Sequence, residues 1–107
     1  MSHASDALSP EDAKLLTLAR ATRARTRAAE GAAVRDLDGR TYAAATVALE
    51  SLQVSAVGVA VSMAISSGSR GLEAVVLLTD GELSDGDRAT VAEFSGAGVP
   101  ILVNPAL

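Results

Sequence analysis

At 107 residues the chain has room for one domain, and its core must be built from small side chains: 49% of residues are hydrophobic, yet Tyr42 and Phe94 are the only aromatics. The absence of Cys excludes a disulfide framework and a thiolate metal site, and the net charge of −4 argues against general nucleic-acid binding. The opening MSHASDALSPEDAK lacks a basic region leading into an apolar stretch, and no apolar run reaches the roughly 20 residues of a membrane span, so a soluble cytoplasmic protein is expected.

Residues 1–8, with the sole histidine His3, read as a flexible tail, and residues 9–107 as a single domain. Ser9, Pro10, Glu11 and Asp12 form a helix start: a capping hydroxyl, a proline in the first turn, then acids facing the positive helix end. Ala13, Leu15, Leu16, Leu18 and Ala19 supply its apolar side. Arg20, Arg23, Arg25 and Arg27 crowd its last turns, where they complement the negative helix end; no aromatic is interleaved to stack on bases.

Glu30 to Arg35 and Arg40 to Ala45 are strand candidates flanking DLDG at 36–39, which reads as a tight hairpin turn. The run from about Leu49 to Ser67 mixes a strand-like alternation at Val57, Val59 and Val61 with a length that favours a helix, ended by Gly68. Such an apolar helix is expected to be enclosed by protein on all sides. Ala74 to Leu78 is a continuous apolar strand of the kind found inside parallel sheets. Ser84 and Asp87 form a Ser-x-x-Asp start for a helix ending near Ser95, and Pro100 to Val103 is a last strand. The order α-β-β-α-β-α-β implies an α/β fold: a hairpin, then two right-handed crossovers, with helices packed on a mixed sheet.

EGAAV at 30–34, DGRTYA at 38–43 and Thr46-Val47 resemble the front hairpin of the small zinc-dependent cytidine deaminases, VGAA[VL]…DGxx[YF]xGxN[VI]EN. AISSG at 64–68 is similar to the end of that family's first zinc helix, and SDGDRATVAEF at 84–94 to its second, PCxxCRQx[IL]xEF. The resemblance spans nearly the whole chain and implies the family's three-layer fold. It also implies homodimers or homotetramers assembled through the central apolar helix, and the Ala, Gly and Val of residues 54–65 suit close helix packing.

The resemblance places the family's [CH]-A-E triplet, a zinc ligand followed by a proton-shuttling glutamate, on Ser55, Ala56 and Val57. The two remaining thiolates fall on Ser84 and Asp87. Without ligands for zinc or a general acid-base, no catalytic residue, metal or cofactor is expected. The expected role is that of an inactive homologue acting by self-association or contact with another protein.

Two alternatives stay open. One is a nucleoside- or nucleotide-binding module using Thr46, Asp80 and Arg88, with Glu50 joining if the alignment shifts, because the segment before Ser55 is about two residues short of the family pattern. The family's NVEN becomes TVAL at 46–49, and the base-stacking aromatic falls near Ala28. The other is a hydrolase using another metal at the acidic cluster Asp80, Glu82, Asp85 and Asp87. This cluster fails the EF-hand pattern, having Asp85 where the loop needs Gly and Val91 where it needs Glu.

Overall fold

The computed structural model describes residues 8–106; His3 and all but the last residue of the expected tail lie outside that range. Helix α1 (Pro10–Thr26) starts where the sequence signals it: the Asp12 amide donates to Ser9 Oγ at 3.1 Å. Strands β1 (Gly31–Asp36) and β2 (Thr41–Ala45) pair antiparallel with Gly31 opposite Ala45 and Val34 opposite Tyr42. A short second hairpin follows, β3 (Val47–Ala48) and β4 (Gln53–Val54). Then come α2 (Ala56–Ser66), β5 (Leu72–Leu78), α3 (Asp85–Ser95) and β6 (Ile101–Asn104).

The main sheet has the order β2-β1-β5-β6, with β1 antiparallel to β5 and β6 parallel to β5. β2 and β5 therefore run in the same direction, and α2 and α3 are crossover helices. Side chains alternate across the sheet. Ala32, Val34, Val75 and Leu77 pack with Ala56, Val57, Ala60, Val61 and Ala64 of α2 and Val91 of α3. Ala33, Ala74, Val76 and Leu78 pack with Leu15, Leu16 and Ala19 of α1, which Leu8 also touches. The result is three layers, with α1 on one face and α2 and α3 on the other.

Three details differ from the sequence reading. The helix expected from about Leu49 begins at Ala56, because residues 47–54 form the β3–β4 hairpin, closed by the Leu49 amide donating to the Leu52 carbonyl at 2.8 Å. That hairpin adds two strands to the expected order. Nor is α2 enclosed on all sides: it lies on one sheet face, so Val57, Ala60, Val61 and Ala64 point inward while Met63 and Ile65 are 38% and 52% exposed. Gly68 does end α2, with φ +93°: its amide donates to the Ile65 carbonyl and the Ser69 amide to the Ala64 carbonyl, a Schellman closure.

The turn between β1 and β2 is organised by Asp36, a buried carboxylate that sequence reading treats only as a turn residue. Its Oδ1 accepts from the amides of Asp38 and Arg40, each at 2.9 Å, and its Oδ2 from Ser69 Oγ. It thereby ties the hairpin to the segment after α2. Burial pushes this carboxyl up, but hydrogen bonds from Ser69, Arg40 and Asp38 outweigh it and hold the group below the usual carboxylate range. At the same end of the sheet, Arg35 bridges Asp12 of α1 at 2.9 Å and Glu73 of β5 at 3.2 Å.

Two predictions follow from this packing. A side chain at Gly31 would place its Cβ 2.7 Å from Arg23 Cβ and against the Ala19 carbonyl, so Gly31→Ala should push α1 off β1. Urea denaturation should show a loss of about 1–3 kcal/mol, typical of overpacking. Because the folded state holds the Asp36 carboxyl below its unfolded value of roughly 3.9, its contribution is complete above that pH and is lost as pH falls through the lower folded value. Asp36→Asn should therefore be less stable than the wild type at neutral pH. The gap should narrow as acid titration proceeds below pH of about 4, and a gap that widened there would contradict the assignment.

Candidate functional site

Because β2 and β5 run in the same direction, the helices that follow them both begin at the same end of the sheet, the end where α/β folds place ligands. Ser55 caps α2 from an extended conformation (φ −65°, ψ 157°), and its Oγ accepts the Gly58 amide at 2.9 Å. Ser84 caps α3 in the same way (φ −73°, ψ 155°), its Oγ accepting the Asp87 amide at 3.0 Å. A capping box would turn the Asp87 side chain back to the Ser84 amide. It instead crosses to the other helix, where Asp87 Oδ1 accepts from Ser55 Oγ at 2.6 Å.

Four residues spread over 32 positions are thus joined: Gly58 N–H to Ser55 Oγ, Ser55 O–H to Asp87, and Asp87 N–H to Ser84 Oγ. Asp87 is only 9% exposed. Val57, in the first turn of α2, is fully buried in the apolar cluster and its side chain offers no polar atom. The sequence does display the Ser-x-x-Asp start of α3. It carries no comparable signal that Ser55 is a cap or that Asp87 would reach it, since that depends on how the two crossovers converge.

The zinc ion that the family resemblance implies does not fit this donor set. Two of the three oxygen-bearing side chains are neutral hydroxyls already engaged with backbone amides, and zinc is held by thiolate, imidazole or carboxylate. Among the described residues, no group of three or more His, Cys, Asp or Glu side chains is placed to hold a metal ion. The acidic cluster is dispersed: Asp80, Glu82 and Asp85 are exposed to solvent, whereas Asp87 is buried against Ser55.

The residues considered for ligand binding do not form a hydrogen-bonded constellation. Thr46 Oγ1 accepts the Glu30 amide at 3.0 Å and donates to the Glu30 carbonyl at 3.3 Å, so its hydroxyl closes the backbone between β2 and β1. Glu50 is exposed at the turn of the β3–β4 hairpin. Asp80 Oδ1 accepts the Ala106 amide at 3.3 Å, fastening the end of the chain to the loop after β5. Arg88 is exposed and lines, with Asp85, Ala89, Ala92, Val99 and Ile101, a groove of about 350 Å³ between α3 and β6. Ser55, Val57, Ser84 and Asp87 are not among the residues lining that groove.

Comparison with known proteins agrees with the three-layer α/β fold. No curated protein sequence matches the chain. Among solved structures, cytidine deaminase from Mycobacterium leprae is 21% identical, with a TM-score of 0.74 over 87% of this chain and 87% of that one. Cytidine deaminase from Mycobacterium tuberculosis is 22% identical, with a TM-score of 0.74 over 90% of this chain and 85% of that one. Cytidine deaminase from Burkholderia pseudomallei is 20% identical, with a TM-score of 0.73 over 88% and 83%. These structural matches establish a shared fold. The model of the family described as cytidine deaminase-like matches residues 8–106, and the chain belongs to that family.

Proposed function

We propose that this protein is a cytidine deaminase-like domain without deaminase activity, acting through self-association or contact with another protein. The observation that carries this reading is Val57. It stands where the family pattern has its proton-shuttling glutamate, and it is a fully buried part of the core. A valine can neither take a proton from water nor deliver one to a base, so general acid-base catalysis has no agent at that position. The engaged hydroxyls of Ser55 and Ser84 support the same conclusion for metal activation of water.

The surface supports the binding half of the proposal. Met63 and Ile65 are exposed on opposite flanks of α2, Met63 beside Tyr42 and Ile65 beside Phe94, and Leu49 and Leu52 flank the β3–β4 turn at 58% and 52% exposure. Apolar side chains displayed on a helix and on a hairpin are candidates for burial against a second surface. The family resemblance implies that copies assemble through this central apolar helix.

Elemental analysis of purified protein should find zinc well below one equivalent, and an assay with cytidine should find no turnover. Stoichiometric zinc or measurable deamination overturns the proposal. Val57→Glu should not create activity and should cost roughly 3–5 kcal/mol in urea denaturation, because it buries an unpaired carboxyl. Light scattering should give a mass above that of one 10.7 kDa chain. Met63→Asp together with Ile65→Asp should reduce it to the monomer. A monomeric wild type would remove self-association from the proposal.

A further inference from the structure

The hydrogen bond between Ser55 and Asp87 joins two helix ends that would otherwise repel. The N-termini of α2 and α3 each present unpaired amides and the equivalent of a partial positive charge, and the fold brings both to one end of the sheet. A divalent metal held by three thiolates would place one net negative charge between them. The two serines are neutral and Asp87 carries a single negative charge, so the junction has that same formal charge with no metal in it. From the geometry we infer that Asp87, held by Ser55, is an anionic latch: it locks the starts of α2 and α3 together and makes the closure of this end of the fold independent of metal.

Three features separate a latch from two ordinary helix caps. Asp87 does not turn back to its own helix, as a capping acid would, but reaches the cap of the neighbouring one at 2.6 Å. The hydroxyl between them works in both directions, accepting from the Gly58 amide while donating to the carboxylate, so the first turn of α2 is connected to a charge located on α3. Asp87 is also nearly buried, whereas Asp85, in the same first turn of α3, is exposed. A hydrogen bond to a shielded charge is stronger than one in solvent, and the loss of either partner strands the other. The latch rests on the metal-free reading of the site and adds to it the function that these positions retain.

The test is a double-mutant cycle of Ser55→Ala and Asp87→Ala, followed by urea denaturation in chelator, with Asp85→Ala as the exposed control. Asp87→Ala should reduce the folded-to-unfolded ratio roughly ten- to hundredfold, and Asp85→Ala far less. The double variant should lose clearly less than the sum of the two single losses, because both single changes break the same bond, while the cap on the Gly58 amide is lost only with Ser55. If Asp87→Ala does not reach a folded baseline, Asp87→Asn keeps the shape, removes the charge and completes the cycle. Hydrogen exchange should then show faster exchange at the Gly58 amide in both Asp87→Asn and Ser55→Ala. Losses that simply add, or an Asp87 variant no weaker than the Asp85 control, overturn the latch while leaving the metal-free reading intact. A wild-type denaturation midpoint that rises when zinc replaces chelator overturns the metal-free reading itself.

Discussion

The structure depends on how closely α1 and α2 can approach the two faces of one strand. β1 opens with Gly31, Ala32, Ala33 and Val34, all buried, and lies between an antiparallel partner on each side. Ala33 faces Leu15, Leu16 and Ala19 of α1, while Ala32 and Val34 face the alanines and valines of α2. Small side chains bring each helix backbone near the sheet, so that even a methyl group at Gly31 would meet Ala19 and Arg23. Close approach is how a chain with two aromatic residues reaches the packing density of a protein interior.

That constraint also positions the site. With α2 held tightly on the sheet and α3 beside it, their capping residues meet at one end, and Ser55 and Asp87 come within 2.6 Å although they are far apart in sequence. Helix ends are where a fold accumulates unpaired amides, and a family that places metal ligands there draws on the same positive potential that an aspartate can satisfy. The serines that interrupt the apolar segment around α2 have local backbone partners. Ser55 is a cap, and Ser62 returns its hydroxyl to the Gly58 carbonyl at 2.7 Å.

Much of this fold is legible in the sequence, because its punctuation is local. Ser9-Pro10, the 36–39 turn, Gly68, Ser84 and Gly96 each mark a boundary by a mechanism confined to a few residues, and the structure places boundaries at all of them. The segment 47–54 is less legible: Leu49, Leu52 and Val54 share their apolar character with the helix that follows, and only the extended backbone that a cap at Ser55 requires separates them. The exposed face of α2 is hidden for a different reason. Composition reports that the helix is apolar but not that only one layer covers it. Asp36 is hidden too, since a turn aspartate gives no sign that Ser69, 33 residues later, will donate to it.

The buried and exposed sides of α2 have different chemistry. On the inward face, position 57 holds a valine packed among Ala32, Val34 and Val75 in the same apolar cluster. A carboxyl there would need a partner to offset its desolvation, and the surrounding cluster is built from aliphatic side chains. In a domain of about a hundred residues, where net stability is a small difference between large opposing terms, a packed valine at this position spares the core that desolvation cost. On the flanks of α2, Met63 and Ile65 are 38% and 52% exposed. Their apolar area is exposed at positions where a second surface could cover it.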